Sequence, residues 1–128
     1  MRFEAGTAPL MSMYGLRVAL QFLESEGIDR IHAREMGLWE YFLAGLDRLP
    51  SLRIHGTRSR LSSVAVVACD MPGYRIGDLA YLLDHDFGIA TRCGVHCAPH
   101  AIKNMGVFPE GVLRFSTPKT NLTIRSMP

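Results

Sequence analysis

The stretch Asp84-His85-Asp86-Phe87-Gly88-Ile89-Ala90-Thr91-Arg92-Cys93-Gly94-Val95-His96-Cys97-Ala98-Pro99 decides how the chain is read. It opens on the end of an amphipathic helix that follows Gly73. Leu79, Leu82, Leu83 and Phe87 point one way along it, and Asp78, Asp84 and Asp86 the other. Gly88 is placed to end that helix, Ile89–Arg92 reads as a short strand, and a loop rich in cysteine, histidine and glycine follows. Beyond the loop, Ala98–Met105 has the form of a short helix, Pro109–Gly111 turns the chain, and Val112–Ser116 is a last strand.

Toward the N-terminus, Leu52–His55 and Ser62–Ala68 are strand-like runs across the polar turn Gly56–Arg60, which predicts a hairpin. Before them lie two helices. One begins near Pro9, carries Leu10, Tyr14, Leu16, Leu20 and Leu23, and closes at Gly27. The other has Asp29 as N-cap, a stripe of Ile31, Leu38, Phe42, Leu46 and Leu49, and Pro50 as its stop; Trp39 and Tyr41 beside the stripe read as packing residues. Residues 1–8 show no period. The order predicts one α+β domain over residues 1–128, with helices on one face of a small, mostly antiparallel sheet.

Composition agrees with a globular domain: 128 residues, 48% hydrophobic, 20% charged and a net charge of +2. A chain of this length buries roughly 65–70% of its unfolded surface and needs no cross-links to hold a core. Its longest apolar run, Val64–Cys69, is far short of a bilayer span, and no signal pattern opens the chain, so neither a membrane nor a secretory role is expected. Positive charge is not gathered. Arg53, Arg58 and Arg60 sit at a turn and read as a solvated loop rather than a nucleic-acid grip. The three cysteines, an odd number, point to free thiols in a reducing, cytoplasmic setting.

The quoted loop holds the chemistry. Cys93, His96, Cys97 and His100 are four soft ligands that suggest zinc, yet the sequence has no CxxC, and structural zinc sites use two knuckles parted by a longer loop. Alternatively, Cys97 is a nucleophile, its thiolate favoured by Arg92, His96 and the amides of the helix that follows. Cys69, within an apolar strand, reads as core. Arg92 at a strand end and Arg114 inside a strand, between Leu113 and Phe115, are either salt-bridged structural residues or a planar clamp for a carboxylate.

Three segments resemble one family. Arg2-Phe3-Glu4-Ala5-Gly6-Thr7, then Asp84 to Pro99, then Phe108-Pro109-Glu110-Gly111-Val112-Leu113-Arg114-Phe115-Ser116 look like the C-terminal region of the cysteine desulfurases and selenocysteine lyases among the class V aminotransferases. The likeness runs in order across residues 2 to about 121. It implies the small domain of a type I pyridoxal-phosphate enzyme that takes sulfur or selenium from cysteine or selenocysteine and leaves alanine. By that resemblance Cys97 is the thiolate that becomes a persulfide, Arg114 binds the substrate carboxylate with Arg92 assisting, and His96 belongs to the same pocket. Gly6 and Thr7 match a segment that reaches a partner subunit's cofactor phosphate.

The resemblance also sets out differences. The cofactor's lysine, the aspartate at its ring nitrogen and its stacking histidine lie, in the family, in a large domain ahead of the first motif. Neither Lys103 nor Lys119 occupies a matching place. Cys93 stands where a small or hydroxylated residue is usual, and Thr117-Pro118-Lys119-Thr120-Asn121 is only loosely like the family's next motif, after which a closing helix is expected to be absent. The expectation is a small domain without activity alone, missing a large-domain partner or forming a homodimer. A stand-alone persulfide carrier or interaction module and a small zinc domain are the alternatives.

Overall fold

A computed structural model describes residues 6–116, and its contacts divide into two compact units that meet between Ala33 and Arg34. In the first unit, α1 (Leu10–Glu26) ends at Gly27, which takes φ 79° and donates its backbone N–H to the carbonyl of Leu23. Arg30 closes the same helix end, its guanidinium donating to the carbonyls of Glu26 at 2.5 Å and Ser25 at 3.0 Å. No residue of α1 is buried, and the predicted stripe stands exposed among the described residues; Leu10 is 68% and Leu16 61% exposed.

Only Gly27 separates the helix α2 (Ile28–Leu46) from α1. Asp29 therefore lies in the first turn instead of capping it, where its charge still complements the helix end. The buried residues of α2 are Met36, Trp39 and Leu43, flanked by Phe42 and Leu46. This stripe is rotated from the expected one because Trp39, the bulkiest apolar side chain, takes the centre and donates its indole N–H to the Val66 carbonyl at 3.2 Å. Tyr41 is 73% exposed and does not pack, and the helix ends at Leu46, ahead of Leu49 and Pro50.

In the second unit, four antiparallel strands run in the order β1-β2-β4-β3: β1 (Arg53–His55), β2 (Val66–Asp70), β3 (Arg92–Gly94) and β4 (Val112–Ser116). The β1–β2 hairpin forms, but β2 begins at Val66 and not at Ser62, because Arg60–Ser62 coil into a single 3-10 turn and the Ser63 hydroxyl donates to the Thr57 carbonyl at 3.2 Å. The third helix, α3 (Ile76–Phe87), packs through Ile76, Ala80 and Leu83, leaving Leu82 and Phe87 exposed. Its C-terminus explains why β3 falls later than Ile89–Arg92. Gly88 is left-handed at φ 65° and the N–H of Ile89 bonds back to the Leu83 carbonyl at 2.8 Å, so Ile89 belongs to the helix end.

Alternation along the strands separates two faces. Val67, Cys69, Leu113 and Phe115 face α2 and α3, as expected, with the Phe42 and Phe115 rings 5.1 Å apart. Ala68 and Val112 face the other way and are covered by Ile102 of the short α4 (Pro99–Asn104) and by Val107. One close crossing joins β3 to β4. A Cβ at Gly111, whose φ is 83°, would overlap the Gly94 carbonyl and lie 2.6 Å from the Val95 nitrogen.

Candidate functional site

Arg92 and Arg114 are register partners on adjacent strands, and Gly94 pairs with Val112 two residues along. Residues opposite each other in an antiparallel pair share a face, so two guanidinium groups rise side by side from one side of the sheet. Like charges so placed repel and normally require an anion between them. None is supplied by the described residues: no carboxylate there pairs with either arginine. Arg114 does not use Glu110. Its Nε is buried and has no hydrogen-bond partner among the described residues.

Beyond β3 the chain turns sharply. Gly94 has φ 107° and His96 φ 56°, making His96 the non-glycine residue with a left-handed backbone among those described. Its imidazole is held below the usual histidine pKa, first by burial and then by the charges of Arg114 and Arg92, against the pull of a hydrogen bond to the backbone of Val112. The shift favours the neutral ring. Cys97 follows, free and exposed, immediately before Ala98 and α4. The structure thus gathers His96 with Arg92 and Arg114 and puts an open thiol next to them in the chain.

The other two cysteines differ. Cys93 is free and exposed, whereas Cys69 is fully buried, and burial followed by the charge of Asp70 pushes its thiol up to about 11. Among the described residues no three His, Cys, Asp or Glu side chains are placed to hold one metal ion, so Cys93, His96, Cys97 and His100 do not form a zinc set. No described helix is long and apolar enough to cross a membrane. Gly6 and Thr7 are exposed in the first unit, ahead of α1; Lys119 and Asn121 lie outside the described residues.

Arg53, Arg58 and Arg60 are exposed, as expected of a solvated loop, and each is paired. Arg58 meets Asp47 at 2.7 Å, Arg60 meets Glu40 at 2.9 Å, and Arg53 meets Asp70. His55 Nε2 also contacts Asp70 at 2.6 Å. Burial alone would raise the Asp70 pKa, but the hydrogen bonds from Arg53 and His55, with their charges, bring it below the usual value. This cluster, and a cavity of about 250 Å³ whose lining includes Arg53, Asp70, Phe108 and Glu110, were not foreseen from sequence. The opposition of Arg53 to Asp70 in the β1–β2 register was the available signal, and it depends on where β2 begins.

A small antiparallel sheet with helices, bearing a thiol loop and two facing arginines on its edge strand β3 and the neighbouring β4, defines an α+β domain. The chain belongs to the class V aminotransferase family, whose model matches residues 1–121. It is 37% identical over 106 residues to a cysteine desulfurase of Dickeya dadantii, covering 83% of this chain and 25% of that protein. A cysteine desulfurase of Escherichia coli O157:H7 is 36% identical over 97 residues, or 76% of this chain and 23% of the relative. The apo cysteine desulfurase of Thermococcus onnurineus NA1 superposes with a TM-score of 0.81 at 34% identity, over 91% of this chain and 28% of that structure. The Escherichia coli cysteine desulfurase CsdA in its S-sulfonic acid form gives 0.79 at 28% identity, over 91% and 28%. The chain therefore spans about a quarter of the length of these relatives.

Proposed function

We propose that this chain is the C-terminal portion of a cysteine desulfurase, supplying the sulfur-accepting thiol Cys97 and a carboxylate clamp formed by Arg92 and Arg114. The observation that carries the reading is the facing pair of arginines, unpaired with any described carboxylate, on the strands that flank the Cys97 loop. A bidentate carboxylate relieves their repulsion and is fixed in orientation by it. The substrate is cysteine or selenocysteine. The Cys97 thiolate attacks the substrate's sulfur, or selenium, in which case the atom named sulfur below is selenium. An S–S bond forms, the carbon–sulfur bond breaks, and its electron pair stays with the carbon that ends in alanine.

Pyridoxal phosphate, the cofactor the family implies, finds no complete site in the described residues. Lys103 is exposed on α4 with its ammonium 5.0 Å from the Phe108 ring centroid, and Gly6 and Thr7 are exposed. The chain alone is therefore without desulfurase activity. Its partners in a complete enzyme are a large domain or a second subunit, in the cytoplasm; the uncovered apolar side of α1 supports such an association.

The test pairs the purified chain with its Cys97→Ala variant. A persulfide donor adds one sulfur atom to the chain, seen by intact mass and absent from the variant. Pyridoxal phosphate and cysteine yield no sulfide above the variant's background. An unmodified Cys97, or sulfide and alanine produced by the chain alone, overturns the reading.

A further inference from the structure

We infer that the outer edge of β3 is a docking site for a second copy of this chain: two β3 strands pair antiparallel about Cys93 and join the two four-stranded sheets into one. The inference stands on the edge itself and does not depend on the desulfurase reading. In the strand order β1-β2-β4-β3, β3 is an end strand, and among the described residues it pairs with β4 alone. An end strand presents a row of backbone N–H and C=O groups ready for another strand. Such edges are commonly blunted by proline or by several charged side chains. The β3 edge is Arg92-Cys93-Gly94, with no proline and with a glycine at its end.

The register favours a second copy over an unrelated strand. A two-fold axis at Cys93 sets each Arg92 opposite Gly94 of the other copy, which has no side chain to clash with it. The two Arg92 then fall on a diagonal about 7–8 Å apart instead of face to face. The other end strand lacks this fit: pairing β1 with itself about Ile54 would set Arg53 against His55, both already engaged by Asp70. Apolar surface also lies beside the β3 edge. Cys93 is opposite Leu113 and shares the face that α3 covers. At the end of α3, Phe87 is 59% and Ile89 43% exposed, on the segment that leads into β3. Joining the edges lays this segment of each copy beside the end of the other's β3 and takes apolar surface out of water.

Cys93, exposed and free, sits at the centre of the junction. Opposed residues of an antiparallel pair have Cα atoms about 4.5–5.5 Å apart, inside the ~4.4–6.8 Å that a disulfide spans. A peroxide therefore locks the pair. The two thiols give up two electrons and their protons, one S–S bond forms as the O–O bond breaks, and the oxygens leave as two molecules of water.

The test uses the full chain. Under reducing conditions, sedimentation shows a concentration-dependent dimer in wild type and in Cys93→Ser alike, since pairing does not need the thiol. Cys93→Lys sets two like charges opposite each other and raises the dimer dissociation constant about fivefold or more. Backbone amide exchange at Arg92, Cys93 and Gly94 slows as chain concentration rises. Hydrogen peroxide then gives a dimer of twice the chain mass less two hydrogen atoms, linked Cys93 to Cys93 on peptide mapping, from Cys97→Ser as from wild type. A chain that stays monomeric overturns the docking site. So does a dimer indifferent to Cys93→Lys and without added protection in β3, which places the contact elsewhere, as on the exposed side of α1. Peroxide that links the copies through Cys97 as readily as through Cys93 overturns the register. Should Cys93→Lys lose the Trp39 indole signal that marks the folded chain, amide exchange in wild type and the mapped link decide.

Discussion

Gly111→Ala is expected to be among the most damaging single-methyl additions to this chain. The residue has φ 83°, a conformation that costs an L side chain about 1–2 kcal/mol. The new Cβ also overlaps the backbone of Gly94 and Val95, which cannot swing aside as a side-chain tip would, and such overpacking adds about 1–3 kcal/mol. The total, about 2–5 kcal/mol, is a large share of the ~5–15 kcal/mol that holds a domain of this kind. Gly88→Ala and Gly94→Ala separate the two contributions. Both glycines have positive φ, at 65° and 107°, but open space where a Cβ would go, so they carry the conformational cost without the overlap. Thermal unfolding followed by circular dichroism reads all three variants, and Gly111→Ala melts at least ~10 °C below wild type, well below either control. A Gly111→Ala melting point equal to that of the controls refutes the close crossing. Because the displaced backbone leads into His96 and Cys97, any folded Gly111→Ala chain also shows altered Arg114 side-chain signals.

Asp70 links stability to acid. Its folded pKa lies below the usual value, so its contribution is in place above about pH 4 and is lost as pH falls through the folded pKa. Asp70→Asn therefore unfolds with a shallower pH dependence below about pH 4, and an acid profile identical to wild type counts against the Arg53–Asp70–His55 cluster. Iodoacetamide labels Cys93 and Cys97 in the native chain and reaches Cys69 only on unfolding; rapid native labelling of Cys69 contradicts its burial. Arg92→Gln relieves a like-charge pair, leaving stability unchanged or raised by about 0.2–1 kcal/mol, while acetate binding weakens. A clear loss of stability would mean that Arg92 has a structural partner.

Helices and their glycine stops were legible because the apolar period and the special backbone of glycine are local properties. Gly27, Gly88 and the last strand Val112–Ser116 fall where the sequence put them. Rotation of the helices was not legible. Which side of α2 turns inward is settled by Trp39 against Val66 and Phe42 against Phe115, contacts that span distant parts of the chain. Strand starts were misplaced for a similar reason. Gly88 and Ile89 are drawn into a helix-end hydrogen bond, and Ser62 and Ser63 into a turn, so β3 and β2 begin later. Cys97, Arg92, Arg114 and His96 stood out as residue types, and the resemblance arranged them in order. The isolation of His96 Nε2 and Arg114 Nε could be known only from their packing.

The charges of this small sheet are divided with some economy between structure and binding. Arg53, Arg58 and Arg60, read from the sequence as a solvated loop, are each paired with a carboxylate of their own chain. Arg114, flanked by apolar residues within a strand, read as either salt-bridged or a carboxylate clamp; among the described residues it and Arg92 lack a carboxylate partner and face each other. Exposed pairs such as Arg58 with Asp47 are worth at most about 1 kcal/mol, so their loss would be tolerated. An uncompensated pair in register is destabilising, and the domain retains it at the place where a thiol is exposed in the adjoining loop. Unsatisfied charge is therefore a better guide to the site here than abundance of charge.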